Sequence, residues 1–365
     1  MVLIKDITAY LESIVPLSLQ ESYDNCGLIV GDYHAEVSGV LVSLDCLEET
    51  IDEAIKNKCN LVIAHHPVIF SGLKKLNGNN YVERTIIKAI RNQIAIYAMH
   101  TNLDNVFEGV NRKIGDKLGL LNRKILEPKL NELRKLVTFC PADHADKVRE
   151  ALFKAGAGKI GGYDQTSFNS AGIGSFRALE GAKPYVGELG KQHLENEIRI
   201  ETVFPRHLEG PLIHALKTAH PYEEVAFDIY NINNADAKTG SGLIGELNEE
   251  MEEMQFLDFL KSSMNVKVVR HSQLLGKKVT KIAVCGGSGS FLLKSAMKEK
   301  ADFFVTSDFK YHQFFDADNK IVIADIGHYE SEQFTIGLIK ELIVRNFSTF
   351  AVRLTELVTN PVNYY

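Results

Sequence analysis

Asn60-Leu61-Val62-Ile63-Ala64-His65-His66-Pro67 reads as an apolar strand that ends in two adjacent histidines and is stopped by proline. Two more apolar runs end alike. Residues 94–99 lead into His100, with Asp104 four residues on; residues 321–326 pass through Gly327 into His328, with Glu332 four residues on. Imidazole at the ends of three strands, each with a second ligand type nearby, describes a metal site at the edge of an open sheet, where such folds collect their ligands. One histidine at a strand end is more often a hydrogen-bonded structural residue, but three apolar runs ending alike argue against coincidence.

Working outward from that stretch, residues 39–44 form a strand ending at Asp45 and residues 48–57 a helix, which makes a β-α-β unit with the histidine strand. A turn-rich stretch, 71–80, and a helix over 82–91 lead to the strand ending at His100, and residues 109–118 have the spacing of one more helix. This alternation predicts an α/β core with a mostly parallel or mixed sheet covered by helices. The pattern breaks near Arg123. Residues 136–140, 165–169, 173–179, 197–204 and 225–232 read as strands and 142–155 and 207–218 as helices, a ferredoxin-like succession with an extra hairpin strand. The polar, glycine-bearing stretch 231–242 reads as a linker. Residues 124–241 are therefore expected to be an α+β domain inserted into a core of 1–123 plus 242–365, where alternation resumes through strands at 266–269, 281–285, 302–306 and 321–325.

His328 and Glu332 sit where strand passes into helix, and an i, i+4 pair presents both side chains on one face. Such a pair can hold one ion or straddle two. His100 and Asp104 share the spacing, although Asn102 and Asp104 also suit a turn or helix cap. Neighbours on a regular strand point opposite ways, so His65 and His66 can share a centre only because Pro67 ends the strand there. Imidazole with carboxylate and no thiolate suits zinc, iron, manganese or nickel. Three histidines with two carboxylates exceed the needs of one catalytic zinc and can serve two ions about 3.5–4 Å apart through bridging carboxylate and hydroxide, which makes hydrolysis the leading chemistry. His100 can ligate, or can orient Asp104 or a neighbouring imidazole; orienting is the expected role. Gly286-Gly287-Ser288-Gly289-Ser290 is either an anion cradle or a tight strand-to-helix turn. Lys310 and His312 reach the same rim, His312 as a general acid, or lie on a solvated helix start. His220-Pro221-Tyr222-Glu223-Glu224 reads as a turn.

Composition mainly excludes. The 365 residues, 45% hydrophobic, allow two or three domains with a sizeable core. A net charge of -6 gives no general attraction for nucleic acid or an anionic membrane. Cys26, Cys46, Cys59, Cys140 and Cys285 are scattered, with no Cys-x-x-Cys pair, so neither a disulfide framework nor a thiolate zinc site is expected. Residues 1–19 carry Asp6 and Glu12 and no basic start, unlike a secretory signal, and no apolar run approaches the roughly 20 residues that span a bilayer. The expected location is cytoplasmic.

Tyr23-Asp24-Asn25-Cys26-Gly27-Leu28, Ala64-His65-His66-Pro67, His100-Thr101-Asn102-Leu103-Asp104, Gly286-Gly287-Ser288-Gly289, Ser307-Asp308-Phe309-Lys310-Tyr311-His312 and Gly327-His328-Tyr329-Glu330-Ser331-Glu332 resemble, in order, the motifs of the Nif-three-like proteins, often named GTP cyclohydrolase 1 type 2 homologues. Residues 124–241 resemble the PII- or CutA-like domain of longer bacterial members. The resemblance implies two divalent metal ions per chain with His65, His66, Asp104, His328 and Glu332 as ligands, and a toroidal homohexamer with its sites facing inward. Tyr23 stands where the family pattern often has tryptophan, a position expected to support the fold beside the site. The family name implies hydrolytic opening of the guanine imidazole ring of GTP. The combined expectation is a hydrolase in which Glu332 bridges the ions, a metal-bound hydroxide attacks a nucleotide-like or phosphoester substrate, and His312 handles protons. Its rival is a non-catalytic metal-bearing assembly or regulatory protein whose insert senses a ligand or holds a partner.

Overall fold

The runs 39–43, 61–64 and 95–98 carry almost no polar side chain, so neither face of the strands they form can meet water, and each is buried along its whole length. In the computed structural model, which describes residues 1–365, they are the parallel centre of a five-stranded sheet. Its order is Gly27–Val30, Ala95–Ala98, Leu61–Ala64, Gly39–Ser43, Ala351–Leu354, with only Gly27–Val30 antiparallel. Alternate side chains cover the two faces. Leu41, Val62 and Ile96 pack with Ile51 and Ile86 of helices Glu48–Lys56 and Tyr81–Arg91. Val40, Leu61 and Ile63 pack with Ile4, Ile7 and Leu11 of helix Ile4–Ile14 and with Leu338 and Ile339 of helix Thr335–Asn346.

A second sheet has the order Arg270–His271, Val322–Asp325, Phe303–Ser307, Lys278–Ser288, Gly240–Glu252, Leu121–Pro128. Its middle three strands are parallel and the flanking ones antiparallel. Ile282, Val284, Phe303 and Val305 belong to the same apolar core as Val40, Leu61 and Ile63. Both sheets are thus built on one core, and their strand ends can face a common site.

Two strands here correct the expected boundaries. Leu121–Pro128 and Gly240–Glu252 pair with each other where the sequence suggests the edge of the insert and a linker. The first compact unit accordingly comprises Met1–Pro128 and Lys238–Tyr365, and the second Lys129–Ala237. Glu246 and Asn248 are water-facing positions of the second of these strands, Gly240–Glu252. Gly240 is needed for close approach, since a Cβ there would lie 2.3 Å from the Glu127 carbonyl oxygen. The strand expected at 266–269 is reduced to Arg270–His271.

The second unit has four antiparallel strands in the order Phe168–Arg177, Gln192–Pro205, Leu133–Pro141, Phe227–Asn231, with helices Ala145–Lys154 and Glu209–Ala219. Leu136, Ile200 and Phe204 pack with Val148, Leu152, Leu212 and Leu216. The extra hairpin strand is absent, because Phe168–Arg177 is continuous and its Gly172 and Gly174 stay in register opposite Glu197 and Glu195.

Candidate metal centre

The strand Leu61–Ala64 ends one residue before His65, yet the backbone N–H groups of His65 and His66 still donate to the Ser43 and Leu44 carbonyls, at 3.1 and 2.9 Å. Their rings lie 4.9 Å apart and are tilted by 47°, so the two Nε2 atoms serve different neighbours. Fully buried His65 donates its Nδ1–H to the Met99 carbonyl at 2.7 Å, which leaves Nε2 3.7 Å from both Asp104 Oδ1 and Glu332 Oε1. His66 donates Nδ1–H to Asp45 Oδ1 at 2.7 Å, and its Nε2 is 3.0 Å from Glu332 Oε2 and 3.3 Å from His328 Nε2. His328 donates Nδ1–H to Asp308 Oδ2 at 2.7 Å, with Nε2 3.2 Å from Glu332 Oε2. The buried Glu332 carboxylate therefore turns Oε1 to one pair of side chains and Oε2 to another.

Burial pushes the His65 imidazole below its ordinary value, so it is neutral and Nε2 carries a free lone pair. For His66 and His328 burial also opposes charge, but hydrogen bonds to Asp45 and Asp308, together with Glu332, outweigh it and raise them to about 9 and about 11. Burial and the Glu332 charge push Asp104 well above the carboxylate range. Glu332 resists burial because the imidazoles of His65, His328 and His66 surround it, and it is held well below that range.

Of the buried side-chain polar atoms without a hydrogen-bond partner, two belong to this cluster, His65 Nε2 and Asp104 Oδ1. Leaving a buried polar atom unpaired costs about 1–3 kcal/mol, and a divalent ion beside Glu332 Oε1 would satisfy both. Three sets of ligand atoms each lie within 4.8 Å of one another: His65, Asp104 and Glu332; His66, His328 and Glu332; His65, His66 and His100. These groups could hold a metal ion. All five ligands expected from the sequence converge here, together with His100, whose Nδ1–H donates to Asp24 at 2.8 Å and whose ring lies 5.3 Å from those of His65 and His66.

The remaining candidates join none of the three groups. His312 is exposed on the 3-10 helix Tyr311–Ala317, its ring against Tyr311 and Phe315, and joins none of the three groups. Gly286 and Gly287 do not leave their N–H groups free for an anion, because these donate to Asn111 Oδ1 at 3.0 Å and Ser331 Oγ at 2.9 Å. Gly287, at φ +62°, instead makes room for Glu332, whose Oε1 would be 2.4 Å from a Cβ there. Tyr23 is 70% exposed and does not support the fold by packing.

A family model described as Duf34/NIF3 (NGG1p interacting factor 3) matches residues 2–361. The chain belongs to the Duf34/NIF3 family. A Bacillus subtilis relative named GTP cyclohydrolase 1 type 2 homolog is 38% identical over 365 residues, 99% of this chain and 98% of the relative. The crystal structure of a Bacillus cereus protein related to NIF3 matches with a TM-score of 0.88 at 38% identity, covering 100% of this chain and 99% of that one. A Staphylococcus aureus crystal structure matches with a TM-score of 0.77 at 30% identity over the same shares.

In this Duf34/NIF3 chain the carboxylates behind the imidazoles, Asp24, Asp45 and Asp308, were not identified by sequence reasoning. A signal existed for two of them. Asp45 and Asp308 follow apolar strands, as the histidines do. Asp24 also receives the Thr101 backbone N–H at 3.0 Å and the Thr101 hydroxyl, which fixes the start of helix Thr101–Asp104.

Proposed function

We propose that the protein binds two divalent metal ions and is a metal-dependent hydrolase of a nucleotide-like or phosphoester substrate. The observation that carries this reading is Glu332, whose two oxygens face different ligand sets, beside the unpartnered His65 Nε2 and Asp104 Oδ1. His65, Asp104 and Glu332 Oε1 would hold one ion; His66, His328 and Glu332 Oε2 the other. Zinc, iron, manganese and nickel all suit this donor set. The ions would supply Lewis acidity and acidify water at neutral pH. The protein's own part is orientation. Met99, Asp45 and Asp308 each hold an imidazole Nδ1–H and so aim its Nε2 into the centre. Ionised, buried Glu332 supplies charge that water does not screen. His312 lies outside this proposal.

The names of the relatives extend it to GTP as a candidate substrate. The insert's strand–helix–strand–strand–helix–strand succession and its antiparallel order favour a ferredoxin-like, PII- or CutA-like reading. A toroidal homohexamer in the cytoplasm completes the proposal. No helix is long and apolar enough to cross a membrane.

The test is incubation of metal-loaded protein with GTP and a panel of phosphoesters, beside Asp104→Ala. Metal-dependent product that the variant fails to form supports hydrolysis. Stoichiometric metal with no product from any of them supports the rival, a metal-bearing assembly or regulatory protein.

A further inference from the structure

Residues 355–365 have no regular secondary structure; the Thr355 N–H donates to the Val42 carbonyl at 2.9 Å, and beyond it side-chain bonds hold the segment. The first anchor is helix Glu48–Lys56, where Glu53 accepts from the Thr355 hydroxyl and, at 2.9 Å, from the Glu356 backbone N–H. The next contacts reach the candidate centre. Thr359, 9% exposed, donates its hydroxyl to Asp45 Oδ2 at 2.5 Å, while Asp45 Oδ1 receives the His66 Nδ1–H. Asn360 donates Nδ2–H to Glu330 Oε1 at 3.0 Å, and Glu330 lies on the helix His328–Glu332. Gly327, which starts that helix, is kept free of a side chain: a Cβ would lie 2.3 Å from Glu330 Oε2 and 3.0 Å from the Tyr364 hydroxyl.

Two consecutive residues thus hold two contributors to the centre, a carboxylate behind His66 at the end of the first sheet and the helix that follows the second. We infer that this segment is a strap that positions the centre, with Thr359 fixing Asp45 and through it the orientation of the His66 ring. The inference rests on the metal-centre reading, but the orientation of His66 can be measured without metal. Thr359 touches no ligand atom and acts only through Asp45. Partners of ligating histidines usually contribute 10- to 100-fold to metal affinity, and one step further out the effect should be on the order of tenfold, confined to the ion held by His66.

The experiment compares wild type, Thr359→Val and Thr359→Ser by two readouts. In metal-free protein labelled at histidine, the Nδ1–H resonance of His66 should shift in Thr359→Val and return in Thr359→Ser, because only the hydroxyl is at issue. In cobalt(II) titrations against a competing chelator, Thr359→Val should weaken one of two ions roughly tenfold, leave the other unchanged, and be rescued by serine. A His66 resonance that Thr359→Val leaves in place, or that serine fails to restore, overturns the strap. Wild-type protein that takes up no cobalt defeats the metal-centre reading, and the His66 resonance still decides the strap.

Discussion

The two sides of Glu332 are built differently. Facing Oε1, His65 is fully buried, neutral, tied to a backbone carbonyl and paired with an Asp104 carboxyl that burial pushes upward. Facing Oε2, His66 and His328 are backed by ionised Asp45 and Asp308, carry raised values of about 9 and about 11, and His328 is 39% exposed. On the first side two buried atoms, His65 Nε2 and Asp104 Oδ1, lack any partner. On the second, protons on the imidazoles already balance Glu332. An ion on the first side would fill a deficit at the cost of the proton that burial favours on Asp104, whereas an ion on the second would displace the protons of two imidazoles. The two positions should therefore differ in affinity and in exposure to substrate.

The largest effect should come from removing what both sides share. Glu332→Gln should reduce bound metal from two ions per chain to well under one, read by elemental analysis of protein purified without chelator. Asp104→Asn should then separate the sides, removing the ion at His65 while the one at His66 and His328 remains, seen as a halved stoichiometry in titration calorimetry. Asp308→Asn should act on the other side alone, weakening that ion roughly tenfold through the lost orientation of His328, as chelator competition would detect. Gly287→Ala should cost about 1–2 kcal/mol for its left-handed conformation alone, with more from crowding Glu332, and urea melts with and without EDTA would measure both. His312→Ala should be the mildest, with stoichiometry and both affinities at wild-type values.

The same contrast explains what the sequence makes legible. Apolar runs buried on both faces announce themselves, so the strands before His65, His100 and His328 are visible without coordinates. The candidate ligands are visible too, as imidazoles and carboxylates at or just beyond the ends of these runs. Strands that expose one face are not visible in this way. Gly240–Glu252 begins inside the polar, glycine-bearing stretch 231–242 that reads as a linker, and only its pairing on both sides with Lys278–Ser288 and Leu121–Pro128 makes it a strand. Partnerships across the fold are hidden too. Asp45 reaches His66 from 21 residues away and Thr359 reaches Asp45 from 314. His312 shares a motif with Asp308, yet the left-handed turn at Asp308, φ +60°, precedes a segment that places it on an exposed helix.

Anomalous diffraction from crystals of the protein grown with manganese or zinc, collected on both sides of the metal edge, tests the two-sided centre most directly. Two peaks about 3.5–4 Å apart are predicted, one touching His65, Asp104 and Glu332 Oε1 and the other His66, His328 and Glu332 Oε2. A single peak, or peaks that leave Glu332 unligated, would contradict it.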